Sequence, residues 1–224
     1  MDLIKNITLF GLPVLIVKMD KKSYDKKSII STIEKNFKLN KKRNLWDKTS
    51  VLHHAYNDFS NPQYHKVNFD TLIPVYKKTL IAIFKNMAFN AHQTIPHFDF
   101  RIVNYTCLSK SNYMAPHIHP VTDFTAVHYI QFDSKHHTPT VFENHLSHTE
   151  YIGELRPELF KILSSKPSSN SWAYRDWTLD VQEDDFCLSP AFLPHRIYPQ
   201  TSKNKNRITI ILNISLKRNI SKKK

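Results

Sequence analysis

The stretch MAPHIHPVTDFTAVHYIQF, residues 114–132, decides how the rest of the chain is read. It places His117 and His119 in a short extended segment fenced by Pro116 and Pro120. Along a strand, residues i and i+2 project from one face, so both imidazoles point the same way and Ile118 is expected to turn to the core. Two neighbouring imidazoles on one face can chelate a divalent metal. Phe124 to Phe132, rich in β-branched and aromatic residues, follows as a strand. A pair of exposed histidines on an edge strand is the plain alternative, so the pair needs partners elsewhere.

Two later runs supply them. DDFCLSPAFLPHRIYP, residues 184–199, is an apolar strand, a proline-bounded turn, and then His195 opening the next strand. Arg207 follows twelve residues later, just before ITIILNISL, residues 208–216, which is nearly all apolar and is expected to be a central strand. An unpaired buried guanidinium is costly, so Arg207 needs an anionic partner, and a carboxylate ligand would meet it in bidentate fashion. Singly these residues say little; their order along the chain is the signal.

The flanking sequence sets the class. LFGLPVLIV, residues 9–17, reads as an opening strand. Ser28 to Leu39 and Phe69 to Phe89 carry apolar residues at helical spacing, with Pro74 near the start of the second. Residues 41–64 read as a long irregular connection holding His53 and His54, and a short helix is expected within residues 152–164. From Phe98 onwards short β segments dominate. Two helices followed by many strands predict an α+β chain, mainly β, with a barrel or jelly roll and the helices packed on one side. Residues 1–97 are expected to support a core over 98–216 within one domain, with 217–224 a basic tail.

Composition removes other classes. Only Gly11 and Gly153 are glycines among 224 residues, where an average chain would carry about sixteen. Glycine-rich phosphate loops and dinucleotide-binding turns are thereby excluded. The net charge of +13 comes from 25 Lys and 7 Arg against 19 acidic residues. The lysines are dispersed, so nucleic acid is compatible but not the favoured partner. Cys107 and Cys187 lie far apart in apolar surroundings and read as small buried hydrophobes. The apolar stretch from Ile7 to Val17 is too short to span a bilayer. No membrane partner and a cytoplasmic location are therefore expected.

Taken together, HIHPVTDFTAVHYIQF, DDFCLSPAFLPHRIYP and NRITIILNI resemble the iron(II)/2-oxoglutarate-dependent oxygenases, and among them those of bacteria and their phages. The resemblance covers most of residues 98–216 and the opening LFGLPVLIV. It implies a double-stranded β-helix, a jelly roll of the cupin-like kind with the metal at its mouth. It also implies iron(II), with 2-oxoglutarate and O2 as cosubstrates. The implied reaction hydroxylates an unidentified small-molecule or polymer substrate, with succinate and carbon dioxide as coproducts. His117 takes the place of the first metal histidine and His195 that of the distal one. Tyr129 and Arg207 match residues that contact the carboxylates of 2-oxoglutarate, and Asn104 and Tyr105 match positions lining that pocket.

The departures are specific. Where the family's facial triad has a carboxylate, this chain has His119. Either His117, His119 and His195 hold the metal together, or Asp123 supplies the carboxylate. The His-x-Asp at His97 and Asp99 comes one strand too early and reads as a decoy. Cupins offer a second template, in which His117, His119, Asp123 and His195 form a four-ligand site without 2-oxoglutarate. That template leaves Tyr129 and Arg207 without a role. A non-catalytic basic jelly roll is the third reading. Residues 135–171 form an insertion expected to cover the mouth.

Overall fold

A computed structural model of the chain describes residues 3–9, 12–39, 53–54, 65–87, 97–144, 158, 175–201 and 205–217. Strands β1 (Leu3–Leu9) and β2 (Leu12–Lys18) form an antiparallel hairpin in which Leu9 faces Leu12. The single opening strand expected over residues 9–17 is thus the end of one strand and most of the next. The Gly-Leu-Pro interruption marks a reversal rather than a blemish in one strand.

Helix α1 (Lys26–Leu39) begins two residues earlier than its apolar spacing suggests. Asp25 caps it by accepting a 3.1 Å hydrogen bond from the Ser28 amide, satisfying one otherwise orphaned donor. It buries Ile29, Ile33 and Phe37. His53 and His54, expected in a loop, form β3 (His53–His54), a short edge strand paired with Cys107 and Thr106. Helix α2 (Ile73–Asn86) has Pro74 in its first turn and buries Tyr76, Leu80, Ile83 and Phe84. The helix expected within residues 152–164 falls almost wholly outside the described residues.

The remaining strands are β4 (His97–Leu108), β5 (Met114–His117), β6 (Phe124–Gln131), β7 (Thr140–Glu143), β8 (Asp176–Thr178), β9 (Asp185–Pro190), β10 (His195–Ile197) and β11 (Arg207–Lys217). They make two antiparallel sheets. The major one runs β1-β2-β9-β6-β11-β4-β3 and the minor one β5-β10-β7-β8. As expected, β11 lies inside the major sheet, bonded to β6 on one side and β4 on the other.

Strand alternation divides the major sheet into two chemistries. Ile208, Ile210, Leu212 and Ile214 of β11, with Ala126 and Ile130 of β6, pack into one core with α1 and α2. Tyr129 of β6 and Cys187 of β9 turn the other way and join Phe132, Phe142, Leu179, Val181 and Leu193 in a second core. A sheet covered on both faces reads as a continuous apolar run, which is why ITIILNISL shows so little alternation. Cys107 and Cys187 are buried and unpaired as disulfides, and burial raises both thiols.

One polar cluster interrupts the helix-facing core. His128 is fully buried, with its Nδ1 2.9 Å from the Tyr76 hydroxyl and its Nε2 3.4 Å from the Tyr24 hydroxyl. Tyr24 donates its own proton to Asp184, which Lys26 also meets at 2.6 Å. The Tyr24 oxygen can therefore only accept from His128, so Nε2 carries the imidazole proton and Nδ1 accepts from Tyr76. Among the described residues no helix is long and apolar enough to cross a membrane.

Candidate metal centre

The minor sheet builds the site. In β5 and β10, His117 and His195 are direct cross-strand partners, with ring centroids 4.3 Å apart. β5 ends at His117, so His119 lies beyond the strand and Ile118 is 47% exposed rather than turned to the core. His119 is brought back by its backbone amide, which donates to Ala191 O at 2.8 Å in the turn before β10. Its ring stands 5.4 Å from that of His117 and 5.3 Å from that of His195. One nitrogen of each of the three rings lies within 4.8 Å of the others, and among the described residues this is the group that could hold a metal ion.

Each imidazole is fixed from behind. His117 Nδ1 lies 3.0 Å from Ala115 O, and His195 Nδ1 lies 3.0 Å from Leu193 O. A backbone carbonyl only accepts, so both Nδ1 atoms carry the proton and Nε2 is the unprotonated nitrogen of each neutral ring. His119 Nδ1 makes the same kind of bond, at 3.0 Å, to Asn213 Oδ1 on β11. A ring N–H tied to a carbonyl oxygen is how metal-ligating histidines are oriented. Burial pushes His195 well below the ordinary histidine range, with His117 adding to it, and burial also lowers His119. For His195 and His119 both shifts favour the neutral imidazole that a metal requires.

Asp123 takes no part. Its carboxylate accepts from the Leu216 amide at 2.7 Å, while its own backbone ties Ile214 and Ala191 together. Among the described residues the group that could hold a metal ion is His117, His119 and His195, without Asp123. Of the earlier His-x-Asp, Asp99 pairs with Lys217 at the end of β11.

Behind the histidines lies a small recess of about 20 Å³, lined in part by Asn104, Thr106, Val127, Thr140 and Thr209. Asn104 Oδ1 is buried there without a hydrogen-bond partner. Tyr105 does not line it. As the next residue on β4 it faces the helices, and its hydroxyl accepts from Asn36 Nδ2 at 3.1 Å. Two consecutive strand residues cannot share a face, so the expectation for Tyr105 is corrected.

Arg207 and Tyr129 lie behind Thr140 and Thr209, two residues that wall the recess. Tyr129 is fully buried and donates to Thr140 Oγ1 at 2.7 Å; burial pushes its phenol up to about 12. Arg207 is 0% exposed. It donates to Thr138 O at 3.0 Å and reaches Thr209 and Thr140 hydroxyls at 3.5 and 3.4 Å. Its guanidinium carbon lies 5.2 Å from the Tyr129 ring centroid. Burial pulls its pKa down, with Tyr129 opposing. Among the described residues no carboxylate pairs with it. Two of its three oxygen partners, Thr140 and Thr209, are also walls of the recess.

Two features escaped the sequence reading. Asn213 was passed over as part of an apolar strand. The tripeptides Ala115-Pro116-His117 and Leu193-Pro194-His195 are one device used twice: the residue before proline is held extended, and its carbonyl then meets the imidazole two residues on. That repeat was visible in the letters. Of the insertion expected over the mouth, residues 145–157 and 159–171 lie outside the described residues. His137, at its start, is a pin, bonded to Lys205 O and to the Asp133 amide.

No protein-family model matches the sequence, and no curated protein does either. Solved structures do match. A prolyl hydroxylase from Trichoplax adhaerens, in complex with a peptide fragment of hypoxia inducible factor, has a TM-score of 0.51 at 10% identity, over 90% of this chain and 83% of its own. The non-heme alpha-ketoglutarate-dependent epimerase SnoN from nogalamycin biosynthesis has a TM-score of 0.51 at 12% identity, over 90% and 76%. AviO1 from Streptomyces viridochromogenes Tue57 has a TM-score of 0.51 at 10% identity, over 90% and 89%. The likeness is one of fold. The chain has the double-stranded β-helix expected of it, built from two opposed antiparallel sheets with both helices on one side.

Proposed function

We propose that this chain is an iron(II)- and 2-oxoglutarate-dependent dioxygenase that hydroxylates an organic substrate, with succinate and carbon dioxide as coproducts. The observation that carries this reading is Arg207. A fully buried guanidinium with no carboxylate partner among the described residues, behind the walls of a recess that three histidines close, is a site waiting for a carboxylate. A cupin-type centre or a structural zinc site leaves that charge unexplained. The donor set suits a divalent metal of the iron–zinc series, since three neutral imidazoles are borderline-soft nitrogen ligands.

In this reading His117, His119 and His195 hold the metal through Nε2, each aligned by the bond at its Nδ1. Arg207 receives the distal carboxylate of 2-oxoglutarate. Tyr129, kept protonated by burial, packs its ring beside the guanidinium and steadies Thr140 through its hydroxyl proton, and Asn104 offers its unpartnered oxygen to the cosubstrate or to a bound water. Iron(II), when bound, supplies the oxygen activation that couples decarboxylation of the cosubstrate to hydroxylation. The three His ligands leave the metal with no protein negative charge, so the cosubstrate's own carboxylate is the anion that neutralises it.

The test is succinate production from 2-oxoglutarate by the iron(II)-loaded protein under oxygen, with calorimetric binding of 2-oxoglutarate as a second readout. Metal-dependent binding that vanishes in Arg207→Met is expected. Binding unaltered by that change, or no metal-dependent binding at all, overturns the reading.

A further inference from the structure

A second hollow, of about 190 Å³, is lined by Asp99, Arg101, Val121, Thr122, Asn213 and Ser215. Asn213 joins it to the metal histidines: it borders this groove, and its side-chain oxygen holds His119. Anything seated in the groove is therefore next to a metal ligand. We propose that the groove is the substrate site and that Arg101 anchors a substrate carboxylate there. This deepens the dioxygenase reading and rests on it for the reaction, though not for the binding.

Three observations carry the assignment. Arg101 is exposed and, among the described residues, has no ion-pair or hydrogen-bond partner, whereas the neighbouring Lys217 is taken by Asp99. The groove thus offers one free, forked cation, which suits a planar carboxylate in bidentate fashion. Asp99 stands two residues away on the same face of β4; its pair with Lys217 is solvent-exposed on both sides, so it is weak enough to be exchanged for a ligand's ammonium, while its charge disfavours a dianionic phosphate. The matching ligand carries a carboxylate with a nearby positive charge, as a free amino acid does. Finally, Val121 is held at φ 64° with its side chain wholly exposed at the groove's rim. A β-branched residue in the left-handed region is a strained outlier of the kind found at ligand sites. It presents an apolar surface beside the cation, against which an aliphatic side chain can lie.

The experiment is calorimetric titration of the metal-loaded protein, and separately of the metal-free protein, with each proteinogenic L-amino acid, the corresponding decarboxylated amines, and adenosine monophosphate. At least one amino acid binds, its amine binds at least about tenfold more weakly, and Arg101→Gln lowers the affinity about 10- to 100-fold, the loss expected for a charge-assisted pair. Arg101→Lys recovers part of it, and metal affinity is unmoved in both variants. The proposal is overturned if no amino acid binds, if Arg101→Gln binds as the parent does, or if adenosine monophosphate binds more tightly than every acid. Because 2-oxoglutarate is titrated in its own arm, loss of its binding with retained amino-acid binding sinks the dioxygenase reading and leaves the groove assignment standing.

Discussion

At the scale of single residues the site is governed by what each polar group lacks. Arg207 has three neutral oxygens and two aromatic rings around it and, among the described residues, no anion. Such a group costs stability until a ligand arrives. Arg207→Met, which keeps the length and removes the charge, is expected to raise the unfolding free energy of the ligand-free protein by about 1–3 kcal/mol while abolishing 2-oxoglutarate binding. Urea denaturation checks the first effect; a loss of stability instead would make Arg207 a structural residue. Asn213 is the converse case, a partner whose removal leaves a ligand loose. Asn213→Ala is expected to weaken metal binding about 10- to 100-fold, with Asn213→Asp recovering it, as read by competition with a chromogenic chelator. Equal affinities in all three proteins would show that His119 needs no support.

At the scale of elements, much was legible and the omissions have physical causes. β4, β6, β9 and β11 were readable because β-branched and aromatic runs bounded by turn residues have few other homes. The hairpin of β1 and β2 was missed because a two-faced apolar sequence looks alike before and after a reversal. The metal histidines were visible through spacing, yet for a reason only half right. His119 joins His117 not by strand alternation but through the 2.8 Å bond of its amide to Ala191 O, a contact between distant segments. Tyr105 was misplaced because a resemblance aligns positions, whereas the sheet assigns faces. The scarcity of glycine was legible; its consequence was not. Among the described residues the non-glycine positive-φ positions fall at Ser111, Val121 and Asp184, where hydrogen bonding or strain replaces glycine's freedom.

At the scale of the whole molecule, the two faces of the major sheet share one acid weakness. On the helix side His128 is neutral because burial, helped by Lys26 and Lys18, lowers its pKa from 6.5 to about 3. On the recess side burial lowers His195 and His119 in the same direction. Above pH 6.5 such histidines are neutral whether the chain is folded or unfolded, and their contribution to stability is complete. As pH falls below 6.5, the unfolded chain takes up protons that the folded one refuses, so stability declines, for His128, until about pH 3. Each fully depressed histidine adds a slope approaching about 1.4 kcal/mol per pH unit. His128→Gln keeps an acceptor for Tyr76 and a donor for Tyr24 but has no proton to gain. It is expected to be less stable than the parent at pH 7 and to lose stability less steeply towards pH 4, by about one histidine's slope. Urea midpoints measured across that range decide the matter. Parallel curves would mean that the Tyr24–His128–Tyr76 cluster does not carry the acid sensitivity, leaving it to the metal histidines, whose share a bound divalent ion suppresses by holding them neutral and in place.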